Sequence, residues 1–492
     1  MKCLFIIALL VFSLQRWTAT AAEPPRNLDE LWAGFDPRKD PLDTEVLKEW
    51  EQDGVVCRVV RYHVGVLKGA PSRVAAFYAA PKGASKIPGL VQLHGGGQSA
   101  SLDSVVTDAK RGYASISLNW GGNRLNFGSS KETYGGPQTD WGKLDATHPP
   151  QRNKTNYFVG ALTPDEFTLD AVESPRNSNW FLVLMAARRA ITFLEQQPEV
   201  NATRIGAYGH SMGGKLTTDL AGIDRRVRAA VPSCGGAGDL SEHDKASIPG
   251  GMSSRLSAME LACVSDNAYI PRIECPILWL SPTNDFHAHI DHMAWNWRNL
   301  PDDRVRFSIS PHLNHRHTDE HAFTQHLFFE EHLKGAFKMP KTPQFSLALK
   351  TADGVPLAKV TPDESRPVQR VEIYYSLDPH ELTRFWRDAG AVKVGDHWQA
   401  ACPVMSPAQH RAARELADRD GIEHQPERHD GKRRAAGQSG RQSVARRARN
   451  PRVAVGGWRI LGTTHRRFGA DAGRAEKELR QRDPKVPGAG KT

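Results

Sequence analysis

Apolar positions along the chain fall into two rhythms. Short continuous runs rich in Val, Ile, Leu, Tyr and Phe alternate with longer stretches in which the apolar positions recur every third or fourth residue. The runs at 55–66 and 73–80, closed by Pro81-Lys82-Gly83, predict paired strands. Further strands are expected at 88–93, 113–119, 205–208, 227–232, 275–280 and 304–310. The helical rhythm marks 180–197, 212–221, 290–299 and 319–333, and a shorter helix is expected at 43–51. Strand and helix alternate with little slack, which predicts an α/β fold, a mostly parallel sheet flanked by helices. Two segments interrupt the rhythm. Residues 123–179 are polar and rich in Gly, Pro, Asn and aromatics, as suits a surface excursion near a site, and 235–271 is expected to contribute to a lid. Beyond 340, strand character at 345–349, 368–375 and 398–404, with Ala352-Asp353-Gly354 as a turn, predicts a small β-sandwich-like appendix in a supporting role.

Composition changes this picture at both ends. Met1-Lys2, an apolar run ending before Gln15-Arg16, and Ala19-Thr20-Ala21-Ala22 ahead of Glu23-Pro24 make 1–22 a secretory signal peptide. The run is too short for a membrane anchor, and no later stretch is long enough to span a bilayer. Export leaves five cysteines, Cys57, Cys234, Cys263, Cys275 and Cys402, too few for a disulfide framework. The formal net charge is +10, but residues 407–492 hold 17 Arg and 4 Lys against 10 acidic residues, a net +11, so the remainder stands at −1. Basicity therefore belongs to the tail and does not indicate nucleic acid as partner. From about Pro407 the chain is dominated by Arg, Ala, Gly and Asp and cannot bury a core. The break comes before enough strands have accumulated to close two sheets. It predicts either a disordered basic extension or an out-of-frame translation that replaced the final strands.

The chemistry centres on Gly209-His210-Ser211-Met212-Gly213, between the predicted strand at 205–208 and the predicted helix at 212–221. This G-x-S-x-G fits a nucleophile elbow, in which a sharp strand-to-helix turn lifts the serine hydroxyl out of the backbone. A helix-capping serine is the plainer alternative. Upstream, a strand runs into His94-Gly95-Gly96-Gly97, whose N–H groups can reach a developing oxyanion because glycine puts no side chain in the way. Downstream, the strand at 275–280 leads to Asp285, where the acid of a Ser…Asp…His order should fall. His312, His315 and His317 follow the next strand. One of them should be the base, and His315, after Asn314 in the loop, is the choice. A competing pattern, His287-x-His289-x-Asp291-His292, has the spacing of a metal-binding signature. It lies beside the expected acid in a chain that already has an elbow, so no metal site is assigned.

Taken together, residues 55–337 resemble the α/β-hydrolase superfamily. The strings H-G-G-G, G-H-S-M-G-G, P-I-L-W-L-S-P-T-N-D and L-N-H are most similar to its dienelactone-hydrolase, acetylxylan-esterase and prolyl-oligopeptidase-like branches. The resemblance implies Ser211 as nucleophile, His315 as base, Asp285 as its orienter, and N–H groups of Met212 and of Gly96 or Gly97 as the oxyanion hole. It requires no cofactor. No propeller-like repeat region precedes the hydrolase part, which counts against peptidase activity. The expected layout is a signal peptide at 1–22, a lead-in at 23–54, a catalytic domain at 55–340, the appendix at 341–406 and the tail at 407–492. The expected activity is that of a secreted or periplasmic serine carboxylic-ester hydrolase acting on a small-molecule or carbohydrate ester. An oligopeptidase-like peptidase, a metal-dependent hydrolase and a silent carbohydrate-binding relative are the alternatives.

Overall fold

The computed structural model describes residues 23–125, 138–153, 161–239, 256–298, 300–301, 303–378 and 383–404. The expected signal peptide and basic tail lie outside them. The apolar runs form one nine-stranded sheet. Its strands are β1 (Glu45–Gln52), β2 (Val55–Leu67), β3 (Ala70–Pro81), β4 (Ile87–Leu93), β5 (Ala114–Leu118), β6 (Val200–His210), β7 (Val227–Ser233), β8 (Ile277–Pro282) and β9 (Val305–Ser310). The spatial order is β1-β2-β3-β5-β4-β6-β7-β8-β9. Pairing is antiparallel from β1 through β3 to β5 and parallel from β5 through β4 to β9. The order reverses direction at β4, so the carboxyl ends of β4 and β6 open onto a crevice, the usual place for a site in such sheets.

One expectation fails here. Residues 43–51 do not form a helix but enter the sheet as edge strand β1. Their Glu, Leu and Lys favour helix, yet Asp53 and Gly54 both have positive φ, 51° and 76°, which closes a two-residue hairpin onto β2. Cross-strand pairs then hold the edge, Arg58 to Glu49 and Arg61 to Glu45, each at 2.6 Å. The sheet thus starts inside the expected lead-in. The rest of that lead-in is tied down by Arg189, whose buried guanidinium donates to the carbonyls of Pro37, Asp40, Pro41 and His63.

Helices cover both faces. They are α1 (Leu28–Trp32), α2 (Leu102–Lys110), α3 (Asn179–Glu195), α4 (Met212–Ile223), α5 (Ala258–Cys263), α6 (Asp266–Tyr269), α7 (Ile290–Asn296) and α8 (Asp319–Phe329). Helix α2 is not among the helices the sequence rhythm predicts, although Ser101 caps it and Leu102, Val105, Val106 and Ala109 form its buried stripe. Helix α3 is buried along nearly its whole length, as its continuous apolar sequence requires. Of the segment 235–271, expected to contribute to a lid, residues 240–255 lie outside the described residues. Its helices α5 and α6 lie under α4, where Lys215 donates to Asp266 at 2.6 Å and to the Val264 carbonyl at 2.8 Å.

The appendix is built from β10 (Gln344–Ala348), β11 (Leu357–Thr361), β12 (Tyr374–Tyr375), β13 (Arg387–Asp388), β14 (Val392–Val394) and β15 (His397–Ala401). They form a four-stranded antiparallel sheet, β10-β11-β15-β14, and the separate pair β12-β13. Val371 and Ile373 join Ala358, Val360, Ala400 and Cys402 in a small core. All five described cysteines are free and buried. No described helix is long and apolar enough to cross a membrane.

Candidate active site

Strand β6 ends at His210 and α4 begins at Met212, leaving Ser211 alone on the turn with φ 61° and ψ −123°. That conformation costs a side-chain-bearing residue about 1–3 kcal/mol and persists only where the surroundings dictate it. Here they do. The Ser211 N–H donates to the Ser233 carbonyl at 2.8 Å, and the Ser211 carbonyl accepts from Gly214 and Lys215. Glycine is obligatory on both sides. A Cβ on Gly209 would lie 2.4 Å from the Leu93 carbonyl oxygen, and one on Gly213 2.0 Å from the same atom. Ser211 makes no side-chain capping bond, so the capping alternative does not describe it.

Its hydroxyl instead faces a histidine. Ser211 Oγ is 2.8 Å from His315 Nε2, and His315 Nδ1 is 2.9 Å from Asp285 Oδ2 and 3.1 Å from Oδ1. Asp285 leaves the end of β8 with its side chain fully buried. Burial alone would raise its carboxyl, but hydrogen bonds from His315 and from the Ala288 and His287 N–H groups outweigh that and hold it below the ordinary carboxylate value. The other two loop histidines point elsewhere. His312, with φ 61°, turns its ring towards Tyr374 and Phe385 of the appendix. His317 Nδ1 meets Ser233 Oγ at 3.1 Å, and the same hydroxyl meets His210 Nδ1 at 3.2 Å.

His210 lies beside His315, ring centroids 4.9 Å apart. Burial, then the neighbouring imidazoles, push it down to about 4, so it is neutral at neutral pH. A second neutral histidine shapes the glycine loop. His94 stacks on Trp120 at 4.8 Å, donates from Nδ1 to the Gly95 carbonyl and accepts the Gly121 N–H on Nε2. Burial pushes it down to about 4, consistent with that single-proton tautomer. The Gly95 N–H is taken by Gln98 Oε1 at 3.0 Å. A Cβ on Gly95 would lie 3.3 Å from Ser211 Cβ, and one on Gly96 2.2 Å from Met212 Sδ, so the loop lies directly against the elbow. Gly97 faces open space. Among the described residues the N–H groups of Met212 and Gly96 meet no acceptor. His148, from the long polar excursion, closes the far side of Gly96. Nothing in the sequence around it signals that position, nor those of Gln98 and Asn123, whose amide holds the Gly97 and Gln98 carbonyls.

The alternative metal pattern is not assembled. Asp291 is gripped by both terminal nitrogens of Arg384, His287 Nδ1 meets the Cys234 carbonyl, and His292 Nδ1 meets that of Gly238. Among the described residues, His210, Cys234 and His315 bring ligand atoms within 4.8 Å of one another. They make a poor metal set. His315 is engaged with Ser211 and Asp285, His210 with Ser233, and burial pushes the Cys234 thiol well up, keeping its proton.

Comparison with known proteins bears on the whole arrangement. The family model described as Acetyl xylan esterase (AXE1) matches residues 6–236, and that of the Dienelactone hydrolase family matches 169–327. No curated protein sequence matches the chain. Among solved structures it is similar to an acetyl xylan esterase from Paenibacillus sp. R4, at 18% identity over 60% of this chain and 91% of that one, TM-score 0.44. It is likewise similar to acetyl xylan esterase 1 from Thermoanaerobacterium, at 17% identity over 59% and 88%, TM-score 0.41. A glucuronoyl esterase from Solibacter usitatus gives 16% identity over 60% and 88%, TM-score 0.39. With its elbow at the end of a central parallel strand and both family models overlapping there, the chain belongs to the α/β-hydrolase superfamily.

Proposed function

We propose that the protein is an exported serine esterase that removes acyl groups from small-molecule or carbohydrate esters. The observation that carries this reading is the hydrogen-bonded line from Ser211 Oγ through His315 to Asp285. In it, His315 takes the hydroxyl proton as Ser211 attacks the ester carbonyl, while Asp285 fixes the imidazole tautomer and balances the imidazolium. The N–H groups of Met212 and of Gly96 or Gly97 receive the oxyanion, each donor being worth about 2.7–4 kcal/mol of barrier. His315 then protonates the leaving alcohol, and the acyl-enzyme is hydrolysed by a water that His315 activates in turn. No step calls for a metal or an organic cofactor.

An ester substrate is supported by the two family models, which between them span the glycine loop, the elbow and Asp285. A carbohydrate alcohol is supported by the half-exposed ring of Phe286, 4.5 Å from His315 by centroids, on the residue that delivers the proton to the leaving group. Export rests on the sequence pattern of residues 1–22. The test is hydrolysis of p-nitrophenyl acetate by the full chain. Activity should be lost in Ser211→Ala and unaffected by a chelator, and acetylated xylan should be cleaved where an aminoacyl-naphthylamide is not. An active Ser211→Ala variant would refute the proposal.

A further inference from the structure

The appendix sends one arginine into the hydrolase part. Arg384 is 3% exposed, and its guanidinium grips Asp291 with two parallel bonds, Nη1 to Oδ1 at 3.0 Å and Nη2 to Oδ2 at 2.8 Å. Its Nε donates to the Asp378 carbonyl at 2.9 Å, so the fork is held from behind by its own module. Its backbone carbonyl accepts from Asn284 Nδ2 at 2.8 Å. Asn284 immediately precedes Asp285, and Asp291 stands in the first turn of α7. The two anchors therefore straddle the loop that presents the acid.

The same segment also reaches the histidine loop. Tyr374 and Phe385 flank His312, with ring centroids at 6.0 and 5.5 Å. The two loops are laced to each other: the His312 N–H donates to Thr283 Oγ1 at 3.0 Å, the Asn284 N–H to the Leu313 carbonyl at 3.1 Å, and the Phe286 N–H to Asn314 Oδ1 at 3.2 Å. Attachment of the module alone does not call for a buried ion pair. Desolvating both charges is costly, and apolar packing can hold a module as well. What a bidentate pair adds is direction, because the planar fork fits its carboxylate in one orientation.

We infer that Arg384 is a positioning residue for the hydrolytic centre, and that the appendix is thereby part of the active-site architecture rather than a support. The inference rests on the proposed roles of Ser211, His315 and Asp285. Arg384 acts through the loop 284–291, keeping the Asp285 carboxylate at His315 Nδ1.

The test uses the full chain carrying Arg384→Met, assayed on p-nitrophenyl acetate beside Ser211→Ala. A misplacement of about 1 Å in a reacting group costs on the order of 10²-fold, so kcat should fall about 10- to 100-fold while KM stays within about twofold. Labelling of Ser211 by a fluorophosphonate should slow in proportion, and millimolar guanidinium should restore part of the rate in Arg384→Ala. A folded Arg384→Met variant with the parent kcat overturns the inference, as does a loss of rate matched only by loss of circular dichroism and not relieved by guanidinium. Should Arg384→Met fail to fold, Asp291→Asn takes its place. It keeps the shape of the pair and weakens its charge: reduced kcat at constant KM supports the role of Arg384, and unchanged kcat refutes it. If Ser211→Ala stays active, the failure lies in the esterase reading and not in the clasp.

Discussion

Replacing Asp285 with asparagine changes one atom and reverses the direction of one hydrogen bond. Oδ1 of Asp285 accepts the backbone N–H groups of His287 and Ala288, both at 2.7 Å, and Oδ2 faces His315 Nδ1 at 2.9 Å. The asparagine amide has two ways to fit. With its nitrogen at the Oδ1 position it confronts two backbone donors, and leaving buried groups unsatisfied costs about 1–3 kcal/mol each. With its nitrogen at the Oδ2 position it keeps both backbone bonds. The second orientation therefore dominates, and its N–H points at His315 Nδ1. That nitrogen must then accept, the ring proton moves to Nε2, and Nε2 points its proton at Ser211 Oγ. Histidine in that tautomer cannot take the serine proton.

The expected loss is about 10⁴-fold in kcat, or about 5 kcal/mol of barrier, for a wrong tautomer in otherwise intact geometry. Steady-state hydrolysis of p-nitrophenyl acetate measures it, and near-ultraviolet circular dichroism checks that the fold is retained. A folded Asp285→Asn variant within about tenfold of the parent kcat would refute the assignment of Asp285 as orienter, and with it the tautomer argument.

Two further outcomes follow from the same geometry. Gly213→Ala should lower the urea midpoint sharply, by about 3 kcal/mol in stability, the upper end of overpacking costs, because its Cβ would stand 2.0 Å from the Leu93 carbonyl oxygen, whereas Gly97→Ala meets no atom and should cost only the strain of its positive φ, about 1–2 kcal/mol; equal midpoints would contradict the crowding. The thermal midpoint should fall as pH drops from 6.5 to 4. Burial holds His94, His210, His321 and His326 down at about 4 in the folded chain, below the ordinary 6.5, so in that window the unfolded chain binds more protons and low pH favours it. Asp108, raised by burial to about 6, and Asp219, raised well above its ordinary value, work in the opposite direction, but two carboxyls are outnumbered by four imidazoles. A flat midpoint across this range would refute the expected net excess of proton uptake by the unfolded chain.

Much of the site was legible because its chemistry ties residue types to fixed backbone events. A serine between two crowded glycines at the end of an apolar strand, an aspartate just past another and a histidine just past a third are readable without coordinates, and the structure gathers Ser211, Asp285 and His315 within hydrogen-bond reach. Local pattern stops being informative where the deciding partner is distant. Residues 43–51 carry helix formers, and only the hairpin at Asp53-Gly54, with the arginines of β2 across from it, makes them a strand. His312, His315 and His317 are alike in sequence, and what separates them is the positive φ at His312, which turns that ring to the appendix, and the hydroxyl of Ser233, which claims His317. Arg384 is the extreme case, for its partner Asp291 lies 93 residues away inside a string that reads as a metal signature. The carboxylate that makes that string look like a metal site is neutralised by a guanidinium from another module, so one ion pair both removes a ligand and braces the loop of Asp285. A spacing motif specifies what a set of side chains could hold if left to converge, and whether they converge depends on which of them the rest of the fold has already engaged.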